Sequence, residues 1–582
     1  MFSYIKFRFQ RQRRRLRREF RLLVNGGRTY INRHILGKWR QLGLSRRLIA
    51  GWWGLMGVMV IGLVMQTQAL TQPLQPIHQD MGAVFSEGGI GPIKIMNPVL
   101  PDATTSDDVN RLIFSGLTQY DTRGNLVPDL ATSWQISPDG KTYTFHLRHG
   151  VTWTDGVPFT SQDVAFTLAA IQNPDSRSPL GNSWQGVTAN PVDDYTITYQ
   201  LPNAYPPFLA STTQGIIPAH TLETTDPSAL RASNFNQAPI GTGPYKIKSY
   251  LPDENEVILE ANSKYYDGKP KIAEIDYHWY NSAADERVAY AKHQILAFAG
   301  VDPADLATTE KLPNLRIYNY AQPAETLLIL RNTQTILKDA SVRSAIALGL
   351  NRASLIKSVL DNEATPVASA VLPGQLGYEA QYQLPKTDIN KANATLTADG
   401  WVLSHGVRTR NGQVLKLNLV TRSGGLDPAV ANAIKTQLGK LGIEVTVQTT
   451  DLDTLEQSYI RPRNYDMLLF GYNIGADPDV YAYWDSTQAA DPGLNLAAYS
   501  DPIADKALET GRVNTNDKIR IGKYLTFQQQ WQADVPSVPL YSQYFTYAAS
   551  DKIVGPGGSR LIDPTDRFYN IQDWTIATGP VR

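Results

Sequence analysis

Cysteine is absent from all 582 residues. That excludes disulfides, thiolate metal sites, thiol nucleophiles and a lipid-bearing cysteine. Histidine is scarce, with eight in the chain. The nearest pair, His146 and His149, falls on or beside an alternating strand pattern. Helical metal-ligand spacing therefore does not apply, and the pair reads as an exposed polar face. Also missing are a Gly-x-x-x-x-Gly-Lys-Ser/Thr phosphate loop, a Gly-x-Ser-x-Gly elbow and a His-Glu-x-x-His helix. Carboxylates are plentiful, but sequence does not pair them in space for acid–base work. No catalytic residue, no metal and no cofactor is expected.

Neutrality is only apparent. The formal net charge is +1, yet residues 1–47 hold fifteen Lys or Arg against Glu19 alone, a net of +14, and the remainder holds 40 basic and 53 acidic residues, a net of −13. A basic tail is thus joined to an acidic body. The run "RQRRRLRREFR" reads as a topology signal that also touches anionic lipid rather than as a specific nucleic-acid site.

Behind the tail, "LIAGWWGLMGVMVIGLVM" at 48–65 contains no charge. A bilayer core takes about 20 helical residues, so this run is just long enough. A secretory signal is the competing reading, but its apolar part is usually about 7–15 residues behind a short start. Here the start is 47 residues long and "TQAL" is a poor cleavage site. The reading is a basic cytoplasmic tail at 1–47, an uncleaved transmembrane signal anchor at 48–70 and a polar linker at 71–88. Arg46 and Arg47 precede the apolar run, and "QTQALTQPLQPIHQD" after it has no Lys or Arg. The positive-inside rule then puts the N-terminus in the cytoplasm and the main domain on the extracytoplasmic face of a single-pass membrane protein.

The body is too long for one ordinary core, which predicts two or more lobes. The folded part is expected from "GPIKIMNPVL" onward. Pro138-Asp139-Gly140 and Asp155-Gly156 read as turns. Between them Tyr143, Phe145 and Leu147 alternate with polar residues, as a half-buried strand does. Thr160 with Asp163 resembles a capping box before a helix with Val164, Leu168 and Ile171 on one face. "DASVRSAIALGLNRASLIKSVL" reads as helix, with Val342, Ile346 and Leu350 in register. Leu415, Leu417 and Leu419 mark a strand. Asp427 and Pro428 then read as N-cap and first turn of a helix lined by Val430, Ile434, Leu438 and Leu441 and stopped by Gly442. "IEVTVQT" follows as another strand. Strand–helix–strand implies parallel pairing and an α/β lobe.

One loop, "GYNIGADPDVYAYW" at 471–484, combines Asn473, Asp477 and Asp479 with Tyr472, Tyr481, Tyr483 and Trp484. Tyr and Trp supply wide contact area at low rotamer entropy with a polar tip, which suits a ligand wall. The alternative is that Tyr481, Tyr483 and Trp484 are core of their lobe.

The stretches "GLTQYDTRGNLVPDLATSWQISPDGKTYTFHLRHGVTWTDGVPFTSQDVAFT", "GTGPYKI", "DASVRSAIALGLNR", "LGKLGIEVTV", "YDMLLFGYNIGADPDVYAYWDS" and "DVPSVPLYS" occur in family order over roughly 90–550. The chain thereby resembles the family 5 extracellular solute-binding proteins, the oligopeptide, dipeptide and nickel receptors of ABC importers. The resemblance implies an α/β, two-lobed periplasmic-binding-protein-like fold (class II, cluster C) with a two-strand hinge. Lobe I would comprise 89–327 and 536–582, with an extra subdomain at about 131–235, and lobe II would comprise 328–535. The implied protein is a monomer that captures a peptide between the lobes and passes it to ABC permease and ATPase subunits. By family position Asp102 and Thr104 touch the ligand from the first lobe and Tyr541 lies near the hinge, while Tyr472, Asn473, Ile474, Asp477, Tyr481 and Trp484 belong to the binding loop. The family commonly has an aspartate four residues before this loop's proline, paired with the peptide α-ammonium; here that position is Ile474. Asp477 or Asp102 then takes the amine, or the ligand has no free amine there. A sensor, an extracytoplasmic chaperone or a receptor for a non-peptide solute would share the fold.

The charge division about residue 48 predicts a protease result. Protease added to intact cells should remove the body and leave residues 1–47 protected. A mature protein recovered from the medium with its N-terminus near residue 70 would overturn the anchor.

Overall fold

The structure is a computed structural model that describes residues 79–80 and 83–577. The basic tail, the proposed anchor and most of the proposed linker lie outside the described residues. Among the described residues no helix is long and apolar enough to cross a membrane.

Two mixed sheets organise the body. The first has seven strands in the order Leu315–Tyr320, Phe545–Ser550, Ala297–Ala299, Val84–Ile90, Glu274–Tyr280, Glu256–Ala261, Tyr245–Leu251. The second has six, in the order Ala364–Pro366, Ser537–Gln543, Ala324–Leu330, Met467–Asn473, Lys416–Arg422, Glu444–Thr450. A four-stranded antiparallel sheet, Ala131–Ile136, Thr142–Leu147, Thr196–Gln200, Thr188–Asp193, packs with helix Ser161–Gln172 and is called the subdomain below. The chain passes between the two large sheets twice, at 321–323 and at Tyr544. The sequence reading divided Ala324–Leu330 at 327/328 and put all of Ser537–Gln543 in lobe I; both strands belong wholly to the second sheet.

Local signals map closely onto local structure. Thr160 and Asp163 form the reciprocal capping box, and Thr142–Leu147 alternates buried and half-buried positions. Lys416–Arg422 and Glu444–Thr450 pair in parallel around helix Asp427–Gly439, with Val430, Ile434 and Leu438 fully buried.

Three expectations change. The single helix over 339–360 is two, Ala340–Gly349 and Arg352–Val359, because Leu350 is extended and the Asn351 side chain accepts the Ser354 N–H to start a new helix. Asp427 lies inside its helix rather than capping it; its carboxylate accepts from Arg422 Nε at 2.5 Å instead. The linker ends earlier than 88, since Val84–Ile90 is a central strand flanked by parallel partners on both sides. Its middle, Glu87-Gly88-Gly89, hides the strand from hydropathy. A side chain at Gly88 would meet Ile295, and one at Gly89 would meet Tyr277 and Thr105.

Glu87 is the reason this strand is anchored. Its carboxylate accepts from Arg567 Nη2 at 2.7 Å and from the Tyr547 hydroxyl at 2.9 Å. The same guanidinium donates twice to Asp108 of helix Thr104–Ile113, at 2.7 Å each, and Asp108 also accepts from Tyr277. The Arg567 and Glu87 side chains are 0% exposed and that of Asp108 is 4% exposed. Burial pulls the Arg567 pKa down, and Asp108 and Glu87 more than reverse it.

Arg567→Met would keep much of the volume and leave Glu87 and Asp108 without a counter-charge. Breaking one side of a buried pair costs about 3–5 kcal/mol, to be read as a lowered urea midpoint. An unchanged midpoint would show that the cluster does not clamp the lobe.

Candidate functional site

Each crossing segment ends beside the loop singled out from sequence. The Ile474 N–H donates to Pro323 O in the first crossing at 2.7 Å, and Ser542 Oγ, on the strand that leads into the second crossing, donates to Gln322 O at 3.1 Å. The loop is further fixed by Gly475 N–H to Asn473 Oδ1 and by Gln375 Nε2 to Gly475 O, both at 2.8 Å. Gly475 sits at φ +77°, where a side chain would strain the turn. The loop is thus a rigid projection of the second sheet held at the hinge.

Two cavities meet at Asn473. One, of about 410 Å³, lies between the lobes. Arg111, Gln119 and Tyr120 line it from the first lobe, Thr213 from the subdomain, 473–476 from the second lobe, and Asp563 and Asp566 from the C-terminal return. The other, also about 410 Å³, lies at the crossings and is lined by residues including Asp302, Gln322, Glu325, Tyr472, Asn473 and Tyr544. Both sizes fall within the roughly 300–1,000 Å³ of ligand pockets. Burial, with Asp566 and Asp477 behind it, pushes the Tyr120 phenol up to about 12, so acids of both lobes bear on one residue of the cleft wall.

The predicted residues divide. Tyr472, Asn473 and Ile474 line the cavities. Tyr472 stacks on Tyr483 with ring centroids 4.3 Å apart and planes 11° apart, and Tyr483 Oη donates to Asn473 O at 3.0 Å. Tyr483 therefore supports the wall from behind. Asp477 is not a free anchor: Arg520 Nη2 donates to both its oxygens, at 2.6 and 2.8 Å. Burial opposes the charge on Arg520, and Asp477 outweighs it. Asp102 and Thr104 are exposed near the start of helix Thr104–Ile113 and line neither cavity. Trp484, 1% exposed, packs edge-on against Trp531 in the core of the second lobe. Tyr541, 2% exposed, lies in the same core, paired in register with Thr326 next to the hinge. It lines neither cavity, and its side chain is closed off from the cleft.

Tyr481 has a different partner. The Arg512 guanidinium lies 4.2 Å from the centre of its ring and 5.3 Å from that of Tyr205 in the subdomain, and 3.4 Å from the Asp479 carboxylate. One arginine of the second lobe thereby touches both its own lobe and the subdomain. Cation–π contacts of this kind contribute about 0.5–2 kcal/mol each, weak enough to open and reform.

Glu325 was not anticipated. It faces Tyr472 in register on the neighbouring strand, is 3% exposed, and neither carboxylate oxygen has a hydrogen-bond partner among the described residues. Burial pushes its carboxyl up to about 8. The signal in the sequence was a lone acid at the start of the apolar strand "AETLLIL".

That shift fixes a pH dependence. The unfolded carboxyl ionises near 4.5, whereas the folded one keeps its proton to about 8, so stability from this group is lost as pH rises between these values. Glu325→Gln is expected to raise stability at pH 8 by on the order of 3 kcal/mol and to change it little near pH 4.5. Melting curves at the two pH values check this; an equal effect at both would refute the shift.

Comparison with known proteins places the chain. The family model "bacterial extracellular solute-binding proteins, family 5 Middle" matches residues 125–493. The oligopeptide-binding protein AppA of Bacillus subtilis (strain 168) is 27% identical over 504 residues, covering 84% of this chain and 91% of AppA. The structure of AppA from Bacillus subtilis in complex with a nonapeptide superposes with a TM-score of 0.66 at 25% identity, over 86% of this chain and 100% of that one. The structure of NikZ from Campylobacter jejuni in complex with Ni(L-His) gives a TM-score of 0.69 at 26% identity, over 84% and 99%. With two sheets joined by paired crossings and a cleft between them, the chain belongs to the family 5 extracellular solute-binding proteins of ABC transporters.

Proposed function

We propose that this protein captures peptides in the interlobe cleft and presents them to the permease of an ABC importer, while residues 48–70 hold it on the extracytoplasmic face of the membrane. The observation that carries the reading is the pair of cavities meeting at Asn473, one between the lobes and one at the hinge. Together they offer mixed polar and apolar walls on both sides of Asn473 rather than one apolar pocket. A chain-like ligand with a repeated backbone fits that form, because polar walls and bridging water accommodate varied side chains. AppA, an oligopeptide-binding protein whose structure holds a nonapeptide, matches nearly the whole body and supports the reading.

Capture works by hinge motion. The two crossings at 321–323 and Tyr544 are the covalent links between the sheets, so small backbone rotations there swing 473–476 toward or away from Arg111 and Tyr120. Arg512 latches the far side by stacking between Tyr481 and Tyr205. Ligand binding adds contacts to both walls and favours the closed form.

A pool of tripeptides to nonapeptides should compact the protein in small-angle scattering. At about 100 times Kd it should also stabilise the native state by about 2.7 kcal/mol. A pool that neither compacts nor stabilises the protein would remove peptides as the ligand class and point to another solute.

A further inference from the structure

We propose that closure engages a latch the ligand does not touch: the loop that walls the interlobe cavity and the helix pair behind it move as one block, and Arg512 of that block docks on Tyr205 of the subdomain. This rests on the hinge motion read above and names what holds the closed form.

Two arginines build the block. Arg520 stands in helix Asp517–Asp534 with its side chain 5% exposed. It donates to both oxygens of Asp477 and, through Nε, to Gly511 O at 3.2 Å near the end of helix Pro502–Val513. One guanidinium thus ties the loop to both helices. Arg512 makes the second tie. Its Nη2 lies 3.4 Å from the carboxylate of Asp479, whose side chain is 7% exposed, and the Asp479 N–H donates to Asp477 at 3.0 Å. Asp477 directly follows Ala476, which lines the interlobe cavity. Charges this buried are costly to unpair, so a shift of the wall at 473–476 carries Arg512 with it.

The subdomain side is also fixed. Tyr205 O accepts from the hydroxyl of Tyr143, which is fully buried in strand Thr142–Leu147. Tyr205 is thereby held to the subdomain core, with its ring centre 5.3 Å from the Arg512 guanidinium. A second contact lies beside it. Gly140 takes φ +68° in the turn before that strand, and a side chain there would meet Ala204 and Thr515. Thr515 belongs to the loop between the two helices. Two segments of the subdomain, at 140 and at 204–205, therefore stand against 512–515 of the second lobe.

Tyr205, Arg512 and Thr515 line neither cavity. The contact adds to the closed form whatever side chains the ligand carries. The Arg512 side chain is 30% exposed, so it meets and leaves Tyr205 at the edge of the protein without unpairing Arg520. A cation over a ring is a modest contact, which lets the cleft reopen. Binding tightens by the factor by which the latch favours closure, so the latch sets retention and not specificity.

The test uses the full-length protein in detergent with Ala204→Cys and Thr515→Cys, a unique pair because the chain has no cysteine. A short bismaleimide joins the pair when the contact forms. In the ligand-free protein, Tyr205→Leu should slow cross-linking by about 2- to 30-fold, the range of one cation–π contact. Tyr205→Phe retains the ring and should stay close to the parent. Arg512→Gln removes the same contact from the other lobe, and combining it with Tyr205→Leu should slow the reaction no further than either alone. Equal rates in the parent, Tyr205→Leu and Arg512→Gln overturn the latch. An alanine-based tetrapeptide should speed cross-linking in the parent, and less so with Asp479→Asn; an undiminished acceleration overturns the single block. Without the cysteines, Tyr205→Leu should weaken the tetrapeptide and a phenylalanine-containing hexapeptide by the same factor. A loss confined to one peptide would put Tyr205 in the ligand site and overturn the inference. If no peptide binds, the peptide reading fails, and the ligand-free rates alone decide the latch.

Discussion

A guanidinium clamped by two carboxylates in the dry centre of the first lobe sets the geometry of the rest. Arg567 lies 480 residues from Glu87 and 459 from Asp108, yet its hydrogen bonds join the central strand Val84–Ile90, the helix Thr104–Ile113 and the C-terminal return. An unpaired charge at that depth is costly, so the three segments are stable only together. The consequence reaches the cleft. Asp563 and Asp566, which line the interlobe cavity, stand in the turn that leads into Arg567, and Arg111 lines it from the helix that carries Asp108. The same ion cluster that secures the lobe therefore positions one wall of the binding site.

The opposite wall follows a related electrostatic rule with two outcomes. Asp477 sits beside Pro478 at the tip of the loop and is neutralised within its own lobe by Arg520. Its role is to hold the loop in shape, with the Asp479 N–H donating to it at 3.0 Å. Glu325 has no such partner among the described residues, and burial beside Tyr472 holds the proton on its carboxyl. Two acids on adjoining elements thus take opposite roles because one has a cation within reach and the other does not. Arg512 adds the dynamic component. Its contacts with Tyr481 and Tyr205 are weak singly and span the lobes, which suits a latch rather than a weld.

Much of the body was legible from short-range pattern. The capping box at Thr160 and Asp163, the alternation of Tyr143, Phe145 and Leu147, and the strand–helix–strand unit from 416 to 450 all rest on interactions within a few residues or on the side-chain period. Errors arose where a local signal was overridden. Hydropathy concealed Val84–Ile90, because a buried ion pair and close backbone packing demanded Glu-Gly-Gly in its middle. Helical periodicity carried through Leu350 and missed the new start that Asn351 makes. Trp484 belongs to the motif but packs on Trp531, whose distance along the chain gives no hint of the contact.

The sequence by itself determined the character of the chain: a basic N-terminus joined to an acidic body, an α/β pattern without cysteine, a family signature over most of its length, and a loop rich in tyrosine and acid. These follow from composition, period and motif, which act over short distances. Only the tertiary structure decided which residues of that loop reach open space and which acid is free. Asp477 and Arg520 lie 43 residues apart, and Glu325 meets Tyr472 only through antiparallel pairing of two strands. Whether a carboxylate is paired or vacant depends on what stands within a few ångströms of it, and folding alone brings those groups together.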